Sequence, residues 1–293
     1  MKLITYLDGR PRVGAVLDGA VVDLSGRFGS MLELIEGGEP ALREARSLAG
    51  AAGPAARISE VRLLAPIPEP RRNVFCMGWN YQTHFEEGRG RREGQGEELP
   101  EYPTFFDKPT TTVIGPHDEI PFDPNFSEKI DYEAELAVVI GRAGRSIPAE
   151  EAMSYVFGYT AANDVTARDV QRRHGGQWLK GKGMDGSCPM GPWIVTADEI
   201  PDVQNLRVQC HVNGVRKQDS NTRFMIFPVA RLIEELSLAM TLLPGDILLT
   251  GTPEGVGYAR TPPEFLRPGD EVTVSVEGVG EISNRVVRKP LTR

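Results

Sequence analysis

In Asp131-Tyr132-Glu133-Ala134-Glu135-Leu136-Ala137-Val138-Val139-Ile140-Gly141, a short apolar run from Leu136 to Ile140 is closed by a glycine. The pattern predicts a strand whose continuation is buried. Side chains alternate along a strand, so Glu133 and Glu135 share one face. Two such carboxylates repel each other, and an apolar neighbourhood worsens the repulsion. The pair therefore needs a shared proton or a cation. Mg²⁺, Mn²⁺ and Ca²⁺ are the ions that take carboxylate oxygens. The alternative is an exposed strand end on which both glutamates face water.

Working outward, Trp193–Thr196, Leu206–Val212 ahead of Asn213-Gly214, Ile247–Thr250 and Glu271–Val276 also read as strands. Two helices interrupt them. Pro148 to Val156 opens with Pro148 and has Glu150 and Glu151 behind it. Pro228 to Leu243 carries a regular apolar stripe ended by Pro244-Gly245. Strands outnumber helices and several look hairpin-linked. The expected class is α+β, predominantly β: a mixed sheet rolled into a barrel or sandwich, with few helices.

Residues 1–65 read as a small N-terminal unit. Asp18-Gly19 joins two strands of a hairpin, and Leu32, Leu34, Ile35 and Leu42 suggest one short helix before the linker-like Gly50–Pro54. Pro66, Pro68 and Pro70 lead stiffly into a main domain over residues 66–293. Residues 86–101 are rich in Gly, Arg and Glu, a composition that suits a mobile loop or lid rather than a core.

Composition excludes several functions. A chain of 293 residues can bury a large core, and its formal charge of −8 argues against a broad nucleic-acid footprint. The basic stretch Gly88–Arg92 is followed by Glu93, Glu97, Glu98 and Glu101, so it reads as a solvated loop. Cys76, Cys188 and Cys210 are scattered without a CxxC pair, which fits a reducing compartment and offers no zinc–thiolate site. The first residues contain no secretory apolar core, and no stretch approaches the roughly 18 apolar residues of a membrane helix. A soluble, cytoplasmic protein is expected.

Four further motifs carry chemistry. Asp164 ends an apolar stretch and is placed to join Glu133 and Glu135 around an ion; the alternative is a helix cap. Gly181-Lys182-Gly183-Met184-Asp185-Gly186 matches GxGxxG, but no buried strand precedes it and no βαβ unit follows, which removes the dinucleotide reading. Gly176 to Gly183 nearly spells a phosphate-binding loop, but Gly183 stands where Ser or Thr would bind Mg²⁺. Lys182 remains, either as a cation for an anionic or enolate oxygen or as an exposed loop lysine. His84 with Glu87 three residues on can form a general-base dyad, or be an ordinary surface pair. The Gly251–Gly257 loop, with Thr252, can grip a carboxylate, or be a plain glycine turn.

Taken in order, Glu133-x-Glu135, Asp164-x-Thr166-Ala167-Arg168-Asp169-x-Gln171, Lys182-Gly183, Cys188-Pro189, Met225-Ile226-Phe227 and Gly245-Asp246 through Gly257 closely resemble the fumarylacetoacetate hydrolase superfamily, over roughly Arg72 to Val287. The resemblance implies a barrel-like mixed β roll and a homodimer. It also implies Mg²⁺ or Mn²⁺ (Ca²⁺ as a further possibility) on Glu133, Glu135 and Asp164. Arg168, Gln171, Lys182 and Thr252 would hold a small anionic 2-oxo acid. His84 and Glu87 would activate water, with Glu86 as an alternative partner. The implied activity is metal-dependent C–C hydrolysis of acylpyruvates, an acylpyruvase of aromatic compound catabolism. Isomerases and decarboxylases of 2-hydroxymuconate-type diacids, and related lyases, share the scaffold. A metal-stabilised binding protein without turnover is a third reading.

Overall fold

The computed structural model describes residues 1–90, 98–174 and 176–291. Glu133 stands immediately before the strand Ala134–Ile140, which is buried along its whole length. Ala134, Leu136, Val138 and Ile140 face one apolar core. Ala137 and Val139 face another. A strand covered on both sides needs an unbroken apolar run, which is why this one shows no polar alternation past Glu135.

This strand lies inside a large mixed sheet of 12 strands. It pairs antiparallel with Val156–Asn163 on one side and with Ile247–Leu249 on the other. Ile247–Leu249 runs parallel to Val74–Gly78, which in turn pairs antiparallel with Thr104–Lys108. Beyond Val156–Asn163 comes Cys188–Thr196, then Lys2–Asp8 and Arg10–Leu17. Residues 1–65 thus continue the same sheet, and their helices Met31–Glu36 and Gly38–Ala51 cover the core that contains Val74, Cys76, Val139 and Leu249.

A second sheet of five strands includes Arg207–Val212, Glu271–Val276 and Gly280–Arg288. Val208, Val274 and Ile282 pack from it against Leu136 and Val138. The architecture is therefore α+β and mostly β, as expected. The sheets do not close into a barrel: among the described residues the large one is an open path, with Ala56–Arg57 at one edge and Thr104–Lys108 at the other. The Thr104–Lys108 edge packs against the short helix Leu179–Lys182 instead of against a closing strand.

Two helices are shorter than the sequence predicted. The stripe from Pro228 gives a helix only over Val229–Ser237. Ala239 turns left-handed at φ 57°, and Thr241–Leu242 pairs with Gly144–Arg145. Tertiary pairing there overrides helical propensity. The stretch from Pro148 is a single α turn, Ala149–Ala152, followed by a 3₁₀ turn. In the N-terminal unit the one expected helix is two, separated at Gly37, and the second runs through Gly50 and Ala51.

One buried amide fixes the turn that carries His84. Asn80 donates from Nδ2 to the carbonyls of Phe227 (3.0 Å) and Thr250 (2.8 Å), and its Oδ1 accepts the Phe227 N–H at 2.8 Å. Asn80→Ala will destabilise the protein by about 2–4 kcal/mol, because three buried main-chain groups lose their partner at once. A urea titration will show a lower midpoint with an unchanged slope.

Candidate active site

Register brings the acids together. Ala134 lies opposite Asn163 and Glu135 opposite Ala162, so the next residue, Asp164, arrives beside Glu133. The Asp164 N–H donates to the Glu133 carbonyl at 2.9 Å. The carboxylates of Glu133, Glu135 and Asp164 each present one oxygen within 4.8 Å of the others. All three side chains are buried, at 4%, 1% and 0% exposure. Burial overturns the reading of an exposed strand end facing water, and Asp164 caps no helix, since the next one, Arg168–Arg173, has Ala167 at its N-cap.

Protein donors meet both oxygens of Glu133 and of Asp164, but only one of Glu135. Glu133 Oε1 lies 2.6 Å from the Arg168 guanidinium. Glu135 Oε2 accepts the Gly251 N–H at 2.7 Å. Asp164 Oδ1 lies 2.9 Å from Lys108 Nζ. Lys182 Nζ sits 2.7 Å from both Glu133 Oε2 and Asp164 Oδ2. Lys182 is thus a buried cation at the centre of the cluster, not an exposed loop lysine.

Electrostatics separates the two glutamates. Burial pushes the Glu133 carboxyl up, but the Lys182 and Arg168 cations outweigh it and hold the group down to about 2. Glu135 goes the other way: burial, then the neighbouring Asp164 and Glu133 charges, push it well above the usual carboxylate range. A carboxyl in that position wants a proton or a cation. Three convergent carboxylates, one of them short of positive charge, make a donor set that fits a hard divalent ion such as Mg²⁺ or Mn²⁺.

The cluster opens on a cavity of about 640 Å³ whose wall includes Glu133, Lys182, Arg168, Gln171, Arg172, Thr252 and His84. Arg168 donates from Nε to Asp131 at 2.8 Å and approaches Gln171 at 3.4 Å. Asp131 also accepts the N–H groups of Gly257 and Tyr258, at 2.7 and 3.0 Å. The Thr252 hydroxyl donates to the Ala134 carbonyl at 3.0 Å and accepts from Gln218 at 2.8 Å. It ties the Gly251–Gly257 loop to the acid-bearing strand.

His84 is buried on the helix Gln82–Glu87, with Nδ1 2.6 Å from Glu87 Oε1. Glu87 Oε2 accepts the Gly255 N–H at 2.8 Å. Glu86 is engaged by Gln82 instead, at 2.8 Å, so Glu87 is the partner of the imidazole. In the lid expected over residues 86–101, residues 91–97 lie outside the described residues. Trp79, at φ 56°, meets Trp178 edge-on with centroids 4.7 Å apart, and Trp178 meets Phe106 at 5.2 Å, forming an aromatic wall.

The glycines of the GxGxxG-like stretch serve close packing. A Cβ on Gly181 would lie 2.4 Å from the Gln171 main chain, and one on Gly183 would lie 2.7 Å from the Leu179 carbonyl. Lys108, Asp131 and Gln218 escaped the sequence reading. Asp131 carried a signal: it shares the alternation of Glu133 and Glu135. Lys108 closes Phe105-Phe106-Asp107-Lys108, where nothing local marks a buried ammonium.

Residues 73–287 match the family described as Fumarylacetoacetate (FAA) hydrolase C-terminal. The mitochondrial oxaloacetate tautomerase Fahd2a of Rattus norvegicus is 45% identical over 284 residues, 94% of this chain and 88% of the rat protein. Oxaloacetate tautomerase YisK of Bacillus subtilis is 42% identical over 266 residues, 88% of this chain and 86% of that protein. Among solved structures, maleylpyruvate hydrolase from Sphingobium sp. SYK-6, in complex with manganese(II) and pyruvate, aligns with TM-score 0.80 at 32% identity. That alignment covers 99% of this chain and 100% of the other. No helix among the described residues is long and apolar enough to cross a membrane.

Proposed function

The chain belongs to the fumarylacetoacetate hydrolase family, and from that premise we propose that it is a divalent-cation-dependent tautomerase of a small 2-oxo dicarboxylate of the oxaloacetate type. The observation that carries the reading is the opening of the His84–Glu87 dyad and the Glu133/Lys182/Arg168 cluster on one cavity. A proton-transfer group and a positive, carboxylate-lined centre then face the same bound molecule. The two tautomerases similar along most of the chain favour this reaction over others of the family.

Keto–enol exchange moves one proton off C3 and places one on the oxygen of C2. Glu87 accepts the Nδ1–H of His84, which fixes the neutral tautomer with a basic Nε2. Nε2 takes the C3 proton and passes it to the C2 oxygen to give the enol, and the reverse run takes it from that oxygen back to C3. Lys182 and Arg168 face the negative charge that develops on the C2 oxygen. An Mg²⁺ or Mn²⁺ held by Glu133, Glu135 and Asp164 would add Lewis acidity toward a 2-oxo carboxylate. The aromatic wall of Trp79, Trp178 and Phe106 limits water around the reacting carbons.

Arg172 stands one helical turn beyond Arg168 on Arg168–Arg173 and lines the same cavity. It is suited to the distal carboxylate. Arg172→Met will raise KM for oxaloacetate by roughly 10–100-fold, the scale of a charge-assisted hydrogen bond. KM for a 2-oxo acid lacking that carboxylate will stay unchanged.

Loss of the enol ultraviolet band, followed with Mn²⁺ and again with chelator, tests the activity. Metal-dependent acceleration supports it. The second reading is acylpyruvate hydrolysis, with His84 activating water instead; it is favoured by the likeness to maleylpyruvate hydrolase. Metal-dependent pyruvate release from acylpyruvates, with no acceleration of the oxaloacetate exchange, would replace the first reading by the second.

A further inference from the structure

Lys108 belongs to no motif, yet it is fully buried at the end of Thr104–Lys108. Its Nζ lies 2.9 Å from Asp164 Oδ1, donates to the Val165 carbonyl at 3.3 Å, and also donates to the Lys182 carbonyl. One ammonium therefore touches a cluster acid, the peptide after it, and the main chain of the central lysine. Ser187 Oγ reinforces the last contact, donating to the same Lys182 carbonyl at 2.9 Å.

We propose that Lys108 is a positioning residue that, through its ion pair with Asp164 Oδ1 and its hold on the Lys182 carbonyl, keeps the Asp164 carboxylate and Lys182 in the orientation a divalent cation needs. The inference rests on the metal site assigned under the proposed function. Oδ2 is the oxygen that Lys182 contacts, on the side of Glu133 Oε2. Without Lys108, the Asp164 carboxylate can rotate and the carbonyl end of Leu179–Lys182 loses a donor. Groups that orient metal ligands in this way typically change metal affinity by about 10–100-fold.

Simple Coulomb repulsion predicts the reverse, since removing a cation 2.9 Å from a ligand oxygen should strengthen binding of a dication. The two effects have opposite signs, so one titration separates them. Mn²⁺ affinity is measured by calorimetry and by the electron paramagnetic resonance of free Mn²⁺, on wild type, Lys108→Met and Lys108→Gln. Binding weakened roughly 10–100-fold in Lys108→Met, with partial recovery in Lys108→Gln, supports the proposal. Unchanged or tighter binding overturns it, leaving Lys108 as a counter-ion of the fold. Wild-type protein that binds no Mn²⁺, or binds it equally well after Asp164→Asn, overturns the metal-site assignment instead. If Lys108→Met fails to fold, Lys108→Gln alone decides by the same comparison.

Discussion

Glu135→Gln will reduce metal-dependent turnover to the level seen without added metal, a loss of roughly 10²–10³-fold or more, and will at the same time raise the melting temperature of the metal-free protein. Both effects have one cause. Glu135 is buried beside Asp164 and Glu133, and burial together with those two charges pushes its carboxyl well above the usual carboxylate range. For an acid shifted upward, the unfolded chain ionises first. Folding stability is therefore lost as pH rises above about 4.5. A neutral amide removes that penalty, so the gain in Tm will be absent near pH 4 and present at pH 8, at about 2–4 °C for each kcal/mol. The same amide gives up a negative ligand, so Mn²⁺ will no longer protect the protein on heating. Scans with and without Mn²⁺ at the two pH values check this. A variant that melts lower than wild type in chelator at pH 8 would show that Glu135 is not held against its charge.

His84→Ala will lower kcat by roughly 10²–10⁴-fold while leaving Mn²⁺ affinity unchanged. His84 is joined to Glu87 while the three acids form a separate group, so the proposed proton-transfer and metal roles are separated by this pair of variants. Glu87→Gln keeps the helix and the Gly255 contact region but weakens the hold on Nδ1–H, and will give a smaller loss with an altered pH profile. Equal loss of Mn²⁺ affinity and of kcat in His84→Ala would mean that His84 supports the cluster rather than the chemistry. The readout also serves the choice between reactions. A dyad that activates water and a dyad that moves a C3 proton both fail, but only the second leaves hydrogen–deuterium exchange at C3 of the substrate impaired.

Much of the site was readable because strands carry their geometry in sequence. The run from Leu136 to Ile140 marked a buried strand, and period-two alternation put Glu133 and Glu135 on one face. The choice between facing water and being buried was not readable there, since it depends on the flanking strands and on Lys108, Arg168, Lys182 and Gly251, which distant segments bring to the acids. His84 and Glu87, three residues apart, were local and visible; that Glu87 rather than Glu86 turns toward the imidazole depends on the Gly255 N–H, 168 residues away. Lys108 could not be found from its neighbours because its three partners all lie beyond residue 160. The helix from Pro228 was overread for a similar reason: Thr241–Leu242 has a distant strand partner that a helical stripe does not reveal. The open sheet differs from the expected barrel because its last strand meets a helix.

The pairing of Ala134 with Asn163 has a consequence for how this protein can be made and altered. A slip of one residue in that ladder would turn Glu133 and Glu135 to the opposite face and carry Asp164 out of reach. A misregistered molecule could keep much of its secondary structure and still bind no ion. At the proposed metal site, ion uptake would report alignment to a single residue where circular dichroism would see nothing. For the same reason single-residue insertions between Glu133 and Asp164 will be tolerated only in the connection 141–155, outside its strand Gly144–Arg145 and its helical turns Ala149–Ala152 and Met153–Tyr155.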